Sequence, residues 1–296
     1  MKVAVVAHNG KTFGDGLPAL HMALAAAGVK DPDWHDVTSS KQAGKAARKA
    51  VKAMPHVLFV WGGDGTVQRC LDAAAGTTTA VAIVPAGTAN LLARHLGIPQ
   101  DVAACVEIGL HGRRRRLDLG KVKGHHFAVM AGVGLDALMM EAAKHDGKAR
   151  LGRLVYARTG VAAVRMPRFR AEVEVGGEPW YKGPAACILV GNLGSIGGIT
   201  VFDHARDDDG RLELAVMTAK GAGEWARTMA RAVFGKPGLS PFLELTAGRD
   251  VRVTLSRKLR YEVDGSPRKA VDRLHFKVRR RAARLCVPKE APHGAR

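Results

Sequence analysis

The chain is predicted to be an α/β protein in two domains: an N-terminal domain on a doubly wound parallel sheet, then an antiparallel β domain with helical insertions. Three observations predict it. Over the first 120 residues or so, apolar runs alternate with helical stretches, the pattern of strands joined by crossover helices. Beyond Leu117-Asp118-Leu119-Gly120 the pattern turns mostly to short strands, which fits antiparallel pairing. Three apolar runs in the first part also end in polar, glycine-bearing loops, at Asn9-Gly10, Gly62 to Thr66 and Gly87 to Asn90. In a doubly wound sheet such exits converge at the carboxyl ends of the strands, where ligands bind. With 296 residues there is chain enough for two cores.

Each element has a local reason. Val3 to Ala7 is a short apolar strand that opens onto a glycine-rich loop running to Gly16. Leu17 to Ala27 reads as a helix with Pro18 at its start and Gly28 at its end. Trp34 to Val37 is a second strand, and Thr38-Ser39-Ser40 offers N-caps for a helix from Lys41 to Met54. That helix carries Lys41, Lys45, Lys49 and Lys52 on a solvated face. Val57 to Trp61 forms a buried strand that breaks into Gly62-Gly63-Asp64-Gly65-Thr66, with a helix expected from Val67 to Ala75. Val81 to Val84 ends in Pro85-Ala86-Gly87-Thr88-Ala89-Asn90, and a helix follows through Arg94-His95-Leu96 to Gly97. In the second part strands are expected at Phe127–Ala131, Phe169–Val175, Ala185–Val190, Leu212–Met217, Val251–Leu255 and Leu274–Val278. Helices are expected at Leu135–Lys144, Leu151–Val164 and Glu224–Phe234.

Composition narrows the partners. Lys and Arg number 46 against 27 Asp and Glu, a net charge of +19, which favours an anionic partner: nucleotide, nucleic acid or acidic membrane. Aromatic residues make up only 5%, too few for the stacking platforms of a single-strand binder, and nucleic acid is not expected as a partner. Cys70, Cys105, Cys187 and Cys286 fit no C-x-x-C spacing, so neither a zinc site nor a redox motif is indicated and a reducing cytoplasm is the expected setting. The first apolar run meets a polar turn too soon for a signal-peptide core. No run has the length of a membrane span, so membrane contact is expected to be peripheral.

The Gly62 to Thr66 loop carries the clearest chemistry. Glycines without Cβ let main-chain N–H groups approach a phosphate closely, and a helix starting nearby adds its positive end. Asp64 is out of place in an anion-attracting loop unless it handles a metal, a ribose or a proton. Familiar alternatives are missing: there is no G-x-x-x-x-G-K-[ST], no kinase H-R-D or D-F-G set and no G-x-S-x-G. Gly132-Val133-Gly134-Leu135-Asp136-Ala137 satisfies G-x-G-x-x-A but lacks the acidic residue a dinucleotide site needs about 20 residues on. Asp207-Asp208-Asp209-Gly210 lacks the alternating ligands of an EF-hand and reads as an acidic turn with one good metal ligand. His125-His126 reads as structural.

Taken together, these loops resemble the diacylglycerol kinase catalytic-domain family, which includes sphingosine, ceramide and bacterial lipid kinases. Gly62-Gly63-Asp64-Gly65-Thr66 is similar to the family's nucleotide loop, and Pro85 to Asn90 with Ala93-Arg94 and Leu96 to Pro99 is similar to its P-x-G-T-x-N segment. Leu117 to Gly120, Gly132 to Ala137, Val190-Gly191-Asn192, Asp209 to Leu212, Val263-Asp264-Gly265 and Leu285 to Pro288 extend the resemblance over nearly the whole chain. It implies an NAD-kinase-like nucleotide domain over 1–120, a β-sandwich-like lipid-substrate domain over 121–282, a last strand at 283–288 returning to the first, and ATP between the two.

The resemblance also implies site roles. Asn9, Gly10, Thr38, Gly62, Gly63, Asp64, Gly65, Thr66, Gly87, Thr88 and Asn90 match its nucleotide contacts. Asp209, with carbonyls near Arg206 and Arg211, matches a structural Mg2+ ligand. The reaction implied is transfer of the γ-phosphoryl group to a lipid hydroxyl, with positioning and cations contributing most. Asp64 is the first candidate for the base, and Asp264 the second. The family's Asp-Gly-Glu reads Asp264-Gly265-Ser266 here, Val67-Gln68-Arg69 stands where an Asn-Glu pair is usual, and the first loop is Ala7-His8-Asn9-Gly10-Lys11 instead of Asn-Pro-x-Ser-Gly. A non-catalytic or weakly active nucleotide- and lipid-binding protein is therefore the alternative. Arg150, Arg153, Arg158, Arg165, Arg168 and Arg170, with Arg279-Arg280-Arg281, form a basic surface suited to anionic lipid. A cytoplasmic, peripherally membrane-bound protein is expected. Its oligomeric state is open, a homodimer included.

Overall fold

A computed structural model describes residues 1–134, 168–196 and 199–289. The chain forms two compact units: Met1–Asp118 with the chain from Arg280 onward, and Leu119–Arg279. The predicted fold class holds in both.

The first unit alternates strand and helix. In order these are β1 (Val3–His8), α1 (Leu17–Ala26), β2 (Asp33–Val37), α2 (Ser40–Lys52), β3 (Val57–Gly62), α3 (Asp64–Ala74), β4 (Ala80–Pro85), α4 (Leu91–His95) and α5 (Val102–His111), before β5 (Arg113–Val122). The sheet order is β2-β1-β3-β4 and every pairing is parallel, with Val3 beside Val57 and Val57 beside Ala80. β1, β3 and β4 are buried at all six positions, as befits parallel strands covered on both faces. The helices flank the sheet as two pairs, α2 with α3 and α1 with α5.

The second unit is antiparallel. Its strands are β6 (His125–Phe127), β7 (Met130–Val133), β8 (Phe169–Val175), β9 (Glu178–Ala185), β10 (Cys187–Gly191), β11 (Ser195–Ile196), β12 (Ile199–Thr200), β13 (Leu212–Met217), β14 (Leu243–Gly248), β15 (Asp250–Leu259), β16 (Tyr261–Val263), β17 (Ser266–Pro267) and β18 (Val271–Val287). One helix, Ala222–Val233, follows β13. β15 lies between β18 and β8, with β9 outside β8, and a second sheet runs β14-β13-β10-β7-β16-β17. Phe169, Ala171 and Val173 of β8, Val251 and Val253 of β15, and Leu274 and Phe276 of β18 share one buried cluster with Ile188 and Val190 of β10 and Leu212, Leu214 and Val216 of β13. Inward rows of two sheets meeting in one core make a sandwich. Beyond Arg279, β18 joins the first unit, where Leu285 lies beside Val81 in parallel.

Several boundaries differ from expectation, each for a visible reason. α3 begins at Asp64, three residues before the expected Val67, because Gly63 serves as N-cap and the Thr66 and Val67 amides already bond the Gly63 carbonyl (2.9 and 3.0 Å). α5 was not expected. Asp101 caps it, its Oδ1 accepting from the Ala104 amide at 2.7 Å, and Gly109 leaves room for the ring of Phe59. The expected strand Phe127–Ala131 is two strands, β6 and β7, with Ala128 and Val129 between them turned toward a carboxylate described below. β9, β14, β16 and β17 were also unexpected, and the last two are three and two residues long. The helices expected at 135–144 and 151–164, and Arg150, Arg153, Arg158 and Arg165, lie outside the described residues.

Candidate active site

The first unit brings two glycine loops into backbone contact. Gly63 follows β3 and Gly87 follows β4. A Cβ on Gly87 would collide with Gly63 Cα and come within 2.8 Å of Asn90 Oδ1, and one on Gly63 would stand 3.0 Å from Gly87 Cα. Gly62 is equally constrained, since a Cβ there would meet the Thr66 side chain at 2.6 to 2.9 Å. The Ala86 amide donates to the Gly62 carbonyl at 3.0 Å, continuing the β3–β4 ladder up to the loops. Packing alone demands glycine at Gly62 and Gly87 and leaves little room at Gly63, and the same bareness leaves main-chain N–H groups approachable at the start of α3.

Asn90 shapes the second loop from within. It is buried and takes a left-handed backbone (φ 46°), a region open to Asn at modest cost. Its Oδ1 accepts from the Gly87 amide at 3.0 Å and its Nδ2 donates to the Gly87 carbonyl at 2.7 Å. Both ends of the amide therefore serve the loop. Thr88 between them is exposed.

Asp64 is the first residue of α3 and joins the loops: its Oδ1 accepts from the Leu91 amide at the start of α4, at 2.6 Å. Burial pushes its carboxyl above the ordinary 3.8, opposed by the backbone amides of Leu91, Asn90, Asp64 itself and Leu92. Burial outweighs those amides, and a carboxylate raised in this way is a better proton acceptor than a free one.

The first loop is pinned by residues that sequence reasoning missed. The indole N–H of Trp61, wholly buried at the end of β3, donates to the Lys11 carbonyl at 2.9 Å, and Phe13 lies against the same indole. A buried Trp needs an acceptor for its one donor, which is the signal that was available. The Asn9 amide nitrogen faces Asp36 Oδ1 at 3.0 Å and the Ala7 carbonyl at 3.2 Å, and its main-chain N–H donates to Val37 at 2.9 Å. Gly10 lies over the His8 ring, its amide 3.2 Å from Nδ1. Thr38 donates through both its amide and its hydroxyl to Gln42 Oε1 (2.8 and 2.9 Å), just ahead of the Ser39 N-cap of α2.

In the second unit, Asp264 is buried. Its Oδ2 accepts from the Ala128 amide at 2.9 Å, and its Oδ1 from the Val129 and Met130 amides at 3.0 and 2.9 Å. The Asp264 amide returns a bond to the Met130 carbonyl at 2.8 Å. Asn192 holds the same segment, donating from its main-chain N–H to Val129 (2.9 Å) and from its side chain to Ala128 (3.3 Å). Two motif positions far apart in sequence thus clamp one three-residue segment. Asp264 and Gly265 have φ of 43° and 76° between the paired Val263 and Ser266, the two-residue hairpin turn that Asp-Gly favours.

Asp209 accepts from the Arg211 amide at 2.9 Å. Nearby Glu213 has its carboxyl raised, first by burial, then by the charge of Asp209, against the pull of Arg211 and His204 and with a further push from Asp203. Among the described residues no three His, Cys, Asp or Glu side chains converge as a metal cage. A site here would rest on Asp209 and main-chain oxygens, and hard oxygen donors beside mutually repelling acids suit a small divalent cation. All four cysteines are buried and free, and burial pushes the thiols of Cys105 and Cys187 up to about 12, so none is a nucleophile near neutral pH.

Two family models match. Residues 4–122 match one described as the diacylglycerol kinase catalytic domain, and residues 129–286 one described as the YegS C-terminal NAD kinase beta sandwich-like domain. A protein named diacylglycerol kinase from Bacillus subtilis is 27% identical over 241 residues, 78% of either chain. A protein from Pseudomonas putida named "Probable lipid kinase YegS-like" is 30% identical over 278 residues, 90% of either chain. A solved structure named for a diacylglycerol kinase from Bacillus anthracis superimposes with a TM-score of 0.80 at 23% identity, covering 97% of each chain.

Proposed function

The chain belongs to the diacylglycerol kinase catalytic-domain family of lipid kinases, and from that premise we propose that it transfers the γ-phosphoryl group of ATP to the hydroxyl of diacylglycerol or a related lipid alcohol. The observation that carries this is the contact of Gly63 with Gly87, bridged by Asp64 to the Leu91 amide. It makes one surface of two strand exits, with approachable amides and a single half-buried acid.

Gly62 to Thr66 and Gly87 to Thr88 cradle the phosphates through main-chain N–H groups and the α3 N-terminus. Asn90 keeps the second loop in shape. Asn9, Gly10 and Thr38 border the nucleotide. Asp64, raised by burial, receives the acceptor hydroxyl's proton. Asp209 and neighbouring carbonyls hold a structural Mg2+. A cation held there would supply charge to offset the repulsion between Asp209 and Glu213. Peripheral contact with anionic lipid, in the cytoplasm, gives access to the substrate. No described helix is long and apolar enough to cross a membrane.

Purified protein given radiolabelled ATP and a panel of lipid alcohols is expected to yield a phospholipid, and Asp64→Asn to abolish it. Nucleotide binding with no product on any lipid overturns the proposal.

Asp264 favours a second possibility. Its carboxylate already accepts three amides, so it is a positioning residue more than a base. The residue after Gly265 is Ser266, which lacks the carboxylate that this turn carries in relatives with Asp-Gly-Glu. A weakly active protein that binds nucleotide and lipid fits those facts. Ser266→Glu then raises turnover by on the order of 100-fold, the lower end of what an added base contributes. No gain, with wild-type turnover already high, removes this alternative.

A further inference from the structure

The helix Ala222–Val233 ends in a tip whose apolar side chains face water. Phe234 is 80% exposed and Leu239 66%. Backbone hydrogen bonds close the tip. Gly235 (φ 71°) closes the helix, its amide bonding the Ala232 carbonyl at 3.2 Å while the Lys236 amide bonds Arg231 at 2.8 Å. That is the paired capping pattern of a Schellman motif. Pro237–Leu239 then forms one 3-10 turn, closed by the Ser240 amide on the Pro237 carbonyl at 2.9 Å. Beneath it, Thr228 and Ser240 share a buried hydroxyl hydrogen bond of 2.8 Å. Trp225 and Pro237 are buried, so the fold had apolar partners available and left Phe234 and Leu239 outside.

The flanking charge selects the occupant. From Gly221 to Ser240 the chain carries Arg227, Arg231 and Lys236 against Glu224 alone, and the Glu224 carboxylate caps the start of the helix by accepting from the Lys220 amide at 2.6 Å. Asp203 is an acid beside Gly238, its Oδ2 3.5 Å from where a Cβ there would stand. Two apolar side chains on a fixed turn, with exposed Arg227 and Lys236 nearby, match the interfacial layer of an anionic bilayer, where rings and aliphatic chains enter the acyl boundary and cations meet the headgroups.

We propose that Phe234 and Leu239 are the membrane-inserting residues of this protein, and that Arg227 and Lys236 hold the tip against anionic lipid. This rests on the proposed lipid kinase activity for its biological purpose, but not for its measurement. Full-length protein is mixed with phosphatidylcholine vesicles containing phosphatidylglycerol, and the bound fraction is read by sedimentation. Phe234→Ser/Leu239→Ser is expected to lower the partition coefficient about tenfold or more, the scale of losing two apolar contacts with lipid. Phe234→Trp is expected to gain fluorescence that brominated acyl chains quench. Turnover of a soluble short-chain diacylglycerol by the double variant should equal that of wild type. Equal vesicle partition of wild type and double variant overturns the proposal, as does a wild-type dimer in ultracentrifugation that the double variant dissociates. If soluble diacylglycerol is never phosphorylated while vesicle binding still depends on the tip, the kinase assignment fails and the insertion stands.

Discussion

Asp64 is the residue on which function and stability pull in opposite directions. Burial raises its carboxyl above 3.8 in the folded state, so the folded protein binds this proton more tightly than the unfolded chain does. The resulting contribution to stability is full below 3.8 and is lost as pH rises through the raised folded value. At neutral pH the charged Asp64 is therefore a cost to the fold. Asp64→Asn keeps an oxygen for the Leu91 amide and removes that charge. Its melting temperature at pH 7.5 is expected to equal or exceed that of wild type, with the advantage vanishing in acid, while turnover falls by on the order of 100-fold or more. Calorimetry at two pH values with a turnover assay checks both halves. A variant that melts lower at pH 7.5 yet retains turnover would assign Asp64 to structure alone. Asp64 was legible in sequence because an acid among glycines is chemically odd. Asp36 and Trp61 were not, since their work depends on β2 and β3 bringing them beside the Asn9 to Phe13 loop.

At the scale of elements, the β16–β17 hairpin shows how a motif can be legible while its strands are not. Asp-Gly announces a two-residue turn, but strands of three and two residues are too short for alternation to register. The break between β6 and β7 was equally hidden, for its cause lies more than 130 residues away in the Asp264 carboxylate. That bond set makes a sharp prediction. Asp264→Ala leaves three buried amides without their acceptor and puts a side chain poorly suited to φ 43° at the turn, so it is expected to cost about 3 kcal/mol or more. Asp264→Asn tolerates the left-handed backbone and keeps one acceptor oxygen, and should lose distinctly less. Urea unfolding with an unchanged slope tests the order of the two variants, and equal losses would mean that the amides find other partners. The late prediction of α3 has the same kind of origin: Gly63-Asp64-Gly65 reads as loop in sequence, yet Gly63 caps and Asp64 begins the helix.

For the whole molecule, the alternation of strand and helix made the first unit legible almost element by element. Only the general character of the second was, because its sandwich rests on pairings such as β10 with β13 and β15 with β18 that no local pattern encodes. The charge of +19 shows a similar division: its size is plain in composition and its distribution is not. Along β8, β9, β15 and β18 some of the cations are paired, with Lys182 on Glu172 at 2.7 Å, Arg252 on Glu174 at 3.5 Å, and Asp250 between His275 at 2.8 Å and Lys277 at 3.6 Å. Other exposed cations include Arg227 and Lys236 at the tip and Arg279-Arg280-Arg281 farther along β18. Attraction to anionic vesicles through exposed Arg and Lys is screened as the Debye length shrinks from about 10 Å at 0.1 M salt to about 3 Å at 1 M. Ordinary Arg and Lys side chains ionise well above pH 9 and ordinary histidines near 6.5. Turnover of diacylglycerol in anionic vesicles is therefore expected to fall several-fold between 0.1 and 1 M salt, a range set by that screening, while turnover of a soluble short-chain substrate changes little. Vesicle binding should be nearly flat from pH 6 to 9. A steep loss of binding between pH 6 and 7 would instead mean that histidines, not Arg and Lys, attract the membrane.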